Sequence, residues 1–193
     1  MKRIAAATLI GFAALAEEYP VEGNPQSTVR VIVYEDLQCS DCAVFRKMMD
    51  EQLLSKYAKR VAFEHREFPL GKHPWARKAA IAARYFASIK PELDTKFRRY
   101  AMANQMVLTT ENFNEKLRGF AKSQGLDGAK AEEALNNREL AAAVERDYQD
   151  GIARGVARTP TVFVNGEPFI ETFTVQEISK SIDSALAAAP GKP

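Results

Sequence analysis

Two cysteines, Cys39 and Cys42, stand with only Ser40 and Asp41 between them where a strand pattern gives way to a helix pattern, and no other feature constrains the fold as much. The run Val29-Arg30-Val31-Ile32-Val33-Tyr34 is β-branched and bounded by turn residues, the signature of a buried strand. Beyond the cysteines, Phe45, Met49, Leu53 and Tyr57 recur every four residues and line one face of a helix running to about Lys59. The first turn of that helix holds both sulfurs. Residues 61–68 read as a second strand, which completes a βαβ unit whose loop-to-helix junction falls at the strand's carboxyl end.

From residue 74 to about 153 the strand signals stop. Ala, Glu, Lys and Arg dominate a helical stretch of about four helices, broken near Lys90-Pro91, Thr109-Thr110 and Gly125 to Gly128. Pro74 and Pro91 fit first-turn positions, and Leu140, Val144, Tyr148 and Ile152 form the cleanest apolar stripe. The sheet resumes at Thr161-Val162-Phe163-Val164, turns at Asn165-Gly166 and returns through Phe169-Ile170, with Pro168 assigning the return strand to an edge. Thr174 and Glu177 form a capping box for a last helix carrying Ile178, Ile182 and Leu186 on one face. The chain is thus expected to be α/β, with a first half over 29–73, an inserted helical segment over 74–153 and a second half over 154–189. Residues 17–28, punctuated by Pro20, Gly23 and Pro25, are expected to be a loop, and 190–193 a tail.

With 193 residues, 46% of them hydrophobic, the chain can bury one sizeable core, which excludes disorder and collagen. Its 27 basic and 25 acidic residues provide no field to hold a nucleic-acid backbone, so no nucleic acid is expected as a partner. Met1-Lys2-Arg3 precedes thirteen uncharged residues, with Ala14 and Ala16 flanking Leu15, the layout of a cleavable secretory signal over residues 1–16. Such an apolar run is short of the ~20 residues that span a membrane. An uncleaved anchor or an amphipathic surface helix is the alternative. Cleavage removes Lys2 and Arg3 and no acid, leaving 25 basic and 25 acidic residues. The mature protein is then expected to be periplasmic or otherwise extracytoplasmic, where disulfides are permitted.

Residues three apart share a helix face, so Cys39 and Cys42 can close and reopen a disulfide with little backbone motion. As a structural bridge it would stabilise by only ~2 kcal/mol, because the loop it closes is so short. Cys39 is expected to be the more exposed sulfur, a thiolate favoured by the unpaired N–H groups and positive dipole of the helix start. Cys42, three residues before Phe45, is expected to be shielded and to resolve the mixed disulfide. A zinc reading would add His65 and His73. Their spacing argues against a compact finger, since seven residues separate the histidines where about three to five are usual. His65 is read as a satisfied polar residue on its strand and His73 as a structural residue of the loop before Pro74. No metal and no cofactor is expected.

The combination of Gly23-Asn24-Pro25, a strand, Asp36-Leu37-Gln38-Cys39-Ser40-Asp41-Cys42, Phe68-Pro69-Leu70 with His73-Pro74, and Gly155-Val156-Ala157-Arg158-Thr159-Pro160-Thr161 resembles the DsbA-like branch of the thioredoxin superfamily. The resemblance runs from about Gly23 to Leu186. It implies a thioredoxin-like fold with a helical domain inserted between its βαβ and ββα halves, a nucleophilic Cys39, a resolving Cys42, and a cis Pro160 facing the disulfide with Thr159 before it. It also implies cysteine-containing secreted polypeptides as substrates and a membrane redox partner, either a quinone-linked oxidase or an electron donor. Many strong oxidases of this kind carry Pro-His between the cysteines. The aspartate of Ser40-Asp41 is expected to oppose the Cys39 thiolate by like charge and make the disulfide less oxidising. The glycine often found near Glu171-Thr172-Phe173 is missing. Glu35 and Asp36, just before the motif, are candidate proton relays for Cys42, or else surface or capping acids. The function expected first is oxidation of secreted proteins. A reductase or isomerase is the alternative within the same chemistry, and a peptide-binding chaperone or metal carrier the alternative outside it.

Overall fold

The computed structural model describes residues 19–189, so the export segment of 1–16 and the tail of 190–193 lie outside the described residues. Strands β1 (Val21–Gly23), β2 (Arg30–Glu35) and β3 (Ala62–Glu67) make one side of a five-stranded sheet of order β1-β3-β2-β4-β5. β2 and β3 run parallel, from Arg30 opposite Ala62 to Glu35 opposite Glu67. Between them the chain is continuously helical through α1 (Ser40–Met48), a π-helical segment (Met49–Leu53) and α2 (Leu54–Tyr57). The π segment follows from the sequence. A strict four-residue repeat drifts by about 40° per step around a 3.6-residue turn, and a wider turn absorbs that drift. Phe45, Met49, Leu53 and Tyr57 accordingly all stay buried, each 2% exposed or less.

The segment 17–28 is not all loop. Val21–Gly23 forms β1, antiparallel to β3 with Val21 opposite Glu64, and the Pro20 carbonyl accepts the His65 N–H at 3.0 Å. Three residues between Pro20 and Asn24 carry no alternation, and their partner lies some forty positions away, so local pattern does not reveal them. Gly23 is required there. Its φ is 91°, and a Cβ would come within 2.4 Å of the Val61 carbonyl oxygen.

On the far side of β2 come β4 (Thr161–Val164), antiparallel to it, and the edge strand β5 (Glu167–Ile170). The turn between them holds Asn165 at φ 45° and Gly166 at φ 96°, the left-handed pair that a two-residue hairpin needs. α8 (Val175–Ala188) opens on the Thr174–Glu177 capping box. The insertion comprises α3 (Ala76–Ile89), α4 (Pro91–Ala103), α5 (Phe113–Ser123), α6 (Gly128–Glu133), a 3-10 turn (Ala134–Asn136) and α7 (Arg138–Ala153). Pro91 opens α4, whereas Pro74 falls in the turn ahead of α3, whose cap is Trp75. The α7 stripe is incomplete: Val144 is buried but Ile152 is 48% exposed.

Two apolar clusters meet at the site. Val31, Val33, Phe63 and Val162 pack against Phe45, Met49 and Ile178 beneath the sheet. Trp75, Phe86, Phe97, Phe113 and Phe120 fill the insertion, and this second cluster also contains Leu37, Cys39 and Cys42. The cysteine turn is therefore where the insertion packs on the sheet domain. The βαβ half, the inserted helices and the ββα half follow one another as expected.

Candidate active site

Asp36, in the turn between β2 and α1, organises the site. Its carbonyl accepts the Cys39 N–H at 3.0 Å and its own N–H donates to the Cys42 sulfur at 3.4 Å. Its buried carboxylate accepts the N–H groups of Gln38 (2.7 Å) and Leu70 (2.8 Å) and the Nδ1 of His73 (2.7 Å). Neither Asp36 nor Glu35 is a surface acid, for each is 1% exposed. Cys39 is the cap of α1, one residue ahead of the helix proper. It is 7% exposed against 0% for Cys42, so the order of exposure is as expected but the difference is small. Gln105, between α4 and α5, donates from its side-chain amide to the carbonyls of Leu37 and Cys39, each at 2.9 Å.

The Thr159–Pro160 bond is cis, and the Thr159 carbonyl accepts the Cys39 thiol at 3.3 Å. Cys39, Thr159, Ser40 and Asp41 line an open cavity of about 490 Å³ together with the loop of Leu70 to His73. Ser40 and Asp41 are exposed on its rim. Pro160 borders a smaller hollow beside it.

The cavity mouth holds an acidic sulfur. Hydrogen bonding from the Cys42 thiol, opposed by burial and aided by the Thr159 hydroxyl and the N–H groups of Cys42 and Asp41, brings Cys39 down to about 6. The buried Thr159 hydroxyl has no other hydrogen-bond partner and is one of the groups that favour the Cys39 thiolate. The opposition expected from the Asp41 carboxylate does not prevent this, for the net shift of Cys39 is downward. Asp41 acts on the sulfur through its main-chain N–H, and its exposed carboxylate faces solvent, where repulsion is screened. Cys42 goes the other way: burial, then the hydrogen bond and charge of Cys39 and the charge of Glu35, push its thiol well above the usual range. Alkylation of the reduced protein with iodoacetamide, followed by mass spectrometry, should therefore rise with pH around a midpoint near 6 and modify Cys39 alone. A midpoint at 8 or above would contradict the arrangement of donors described.

Beneath Cys42 the sheet face turns ionic. Glu35 is bonded to His65 Nδ1 at 2.7 Å and to Arg98 of α4 at 2.9 Å, and His65 Nε2 reaches Glu22 of β1 at 2.9 Å. Arg98 also pairs with Asp94 and Glu67, and Arg46 of α1 with Glu22. Burial opposes the charge on His65, but the Glu35 and Glu22 carboxylates outweigh it and hold the imidazolium to about pH 9. Burial likewise opposes ionisation of Glu35, and His65 and Arg98 overcome it, keeping Glu35 below the usual carboxylate range. With both ring nitrogens engaged, His65 has no lone pair for a metal, and the four-ligand zinc arrangement is not formed. His73, expected to be structural, lines the cavity, and Gln105 carries no sequence signal at all.

A sheet whose central strand runs into a two-cysteine turn, closed by a cis-proline and interrupted by a helical insertion, defines a thioredoxin-fold protein of the DsbA-like kind. Residues 16–184 match the thioredoxin family, and the chain belongs to it. Its fold is similar to that of Wolbachia pipientis alpha-DsbA1, with a TM-score of 0.78 at 18% identity over 89% of this chain and 92% of that one. BdbD from Bacillus subtilis superimposes with a TM-score of 0.79 at 23% identity, over 88% and 94% of the two chains. Among curated relatives, the Na(+)/H(+) antiporter NhaA 3 of Salinispora tropica is 28% identical over 174 residues, 90% of this chain. The chain spans only 26% of the length of that antiporter. A protein of Rickettsia prowazekii named as a candidate protein-disulfide oxidoreductase is 28% identical over 170 residues, 86% of this chain and 61% of that protein.

Proposed function

We propose that the protein is an exported thiol:disulfide oxidoreductase that passes its Cys39–Cys42 disulfide to thiols of secreted polypeptides. The observation that carries this is the pairing of an acidic sulfur at a cavity mouth with a fully buried, high-pKa partner thiol. A substrate thiolate attacks Cys39, the Cys39–Cys42 bond breaks with its electron pair going to Cys42, and a mixed disulfide forms. A second substrate thiolate then attacks the substrate sulfur and releases Cys39 as a thiolate. Two electrons pass from substrate to protein, one proton ends on Cys42 and the other is released to solvent. Cys42 needs a proton once it leaves, and Glu35, held as a carboxylate by His65 and Arg98, is the relay assigned to hand it on from the His65 imidazolium. Asp36 and Thr159 position the two sulfurs, and Pro160 ends the segment against which an extended substrate pairs.

Oxidation is the favoured direction because the donors on Cys39 stabilise the dithiol form relative to the disulfide, which makes the disulfide more oxidising. Reoxidation falls to a quinone-linked membrane partner, and the location is extracytoplasmic, on the strength of the DsbA-like resemblance and the basic-apolar start of the sequence. Among the described residues no helix is long and apolar enough to cross a membrane. Equilibration with glutathione buffers tests the direction. A potential well above the roughly −270 mV of thioredoxin is expected. A value at or below that level would instead make the protein a reductase.

A further inference from the structure

We propose that His73 is a catalytic base of this exchange, its Nε2 taking the proton from the substrate thiol that attacks Cys39. The inference rests on the reading of Cys39 as the attacked sulfur and adds to it the group that prepares the attacker. Free cysteine has a pKa of about 8.5, so a substrate thiol near neutral pH is mostly protonated, and only its thiolate reacts. Cys39 is ionised by contacts built into α1, but a visiting thiol brings none of these with it.

The cavity supplies what is needed. His73 lines the same cavity as Cys39 and Thr159 and is fixed at two points: its N–H donates to the Leu70 carbonyl at 3.0 Å, and Nδ1 lies 2.7 Å from Asp36. The Asp36 side chain is 0% exposed and already accepts two main-chain N–H groups. A carboxylate only accepts, so this partner assigns the proton of the neutral ring to Nδ1 and leaves Nε2 as a bare acceptor. Nε2 has no hydrogen-bond partner among the described residues, and the ring is 19% exposed in a wall that faces the cavity. The other charged groups there are Asp36 behind the ring, Lys72 beside it, Asp41 on α1, Arg158, and Glu171 after β5. Arg158 and Glu171 pair with each other, so neither sign dominates the mouth. Histidine alone among ordinary side chains changes charge between pH 5 and 8 and can serve here as base and then as acid.

The step balances. The substrate S–H proton passes to Nε2, giving an imidazolium that Asp36 stabilises. The freed sulfur pair forms the bond to Cys39 while the Cys39–Cys42 bond breaks toward Cys42. In the reverse direction the imidazolium protonates the departing substrate thiolate.

The test is single-turnover mixing of the disulfide form with a reduced two-cysteine peptide from pH 5.5 to 9.5, for the wild type, His73→Ala and His73→Gln. Both variants should be slower by about 10²-fold at pH 7. The gap should close to within about threefold at pH 9.5, where the peptide thiol ionises unaided. Imidazole in the buffer should restore part of the His73→Ala rate and leave the wild type unchanged, and the glutathione potential should be the same in all three proteins. A slowdown that is uniform across pH, or none, overturns the proposal while the exchange function stands. A wild-type disulfide that does not oxidise the peptide at all removes the function and the base together.

Discussion

The Cys39→Ser protein is expected to oxidise a reduced peptide no faster than buffer does, while Cys42→Ser, mixed with a disulfide-bonded peptide whose S–S bond its Cys39 thiolate breaks, accumulates mixed disulfides that survive until a reductant is added. The asymmetry follows from access. Cys42 is fully buried with its sulfur against the Asp36 N–H, so no visiting sulfur reaches it once Cys39 is gone. In Cys42→Ser the accessible Cys39 thiolate remains, but the buried group that would expel the bound substrate no longer can. Mass spectrometry of acid-quenched mixtures reads both results. Normal turnover by Cys39→Ser would remove the enzymatic reading altogether.

Arg98→Met should be the most destabilising single change among the ionic residues, costing about 3–5 kcal/mol at neutral pH, because breaking a buried pair strands its partners. Arg98 is 0% exposed and holds Asp94, Glu35 and Glu67 together. Methionine preserves the stem and removes the charge, leaving three carboxylates in low dielectric without their shared cation. Burial already pushes Glu67 up to about 7, with Arg98 opposing the rise. The sign of the pH dependence follows. Glu35 is a carboxylate whose folded pKa is depressed, so it contributes stability above its unfolded pKa that is lost as pH falls through the folded one. Without Arg98 the stranded acids can relieve their repulsion by taking up protons. The deficit relative to wild type should therefore be large at pH 7 and shrink toward pH 4. Urea unfolding at both pH values measures it, and a loss under about 1 kcal/mol at pH 7 would show that the pairs contribute little, as exposed ones do.

What the sequence made legible was local. The strand before the cysteines, the four-residue stripe after them, the Asn165-Gly166 hairpin and the Thr174–Glu177 cap each depend on residues within a few positions of one another, and each lies where it was read. What it concealed depends on partners far along the chain. β1 exists only by pairing with β3. Glu64-His65-Arg66-Glu67 reads as a strand, but nothing local shows that its charges are buried, because Arg98 arrives from α4 and Glu22 from β1. The source of the acidity of Cys39 is hidden for the same reason. Asp41 is visible beside it in sequence, whereas the Thr159 hydroxyl that acts on the sulfur lies 120 positions on. His73 follows Phe68-Pro69-Leu70 closely in the chain, yet its place in the cavity depends on a carboxylate 37 positions earlier.

Gln105 has a bearing on how a visitor can be received. Its amide occupies the carbonyls of Leu37 and Cys39, and the latter also takes the Ala43 N–H, so these main-chain acceptors beside the reactive sulfur are already engaged within the chain. Under the proposed exchange function, main-chain recognition would fall to the Thr159 flank alone, so a guest polypeptide would be tethered on one side and free to swing on the other, an arrangement that tolerates many sequences and lets the product go.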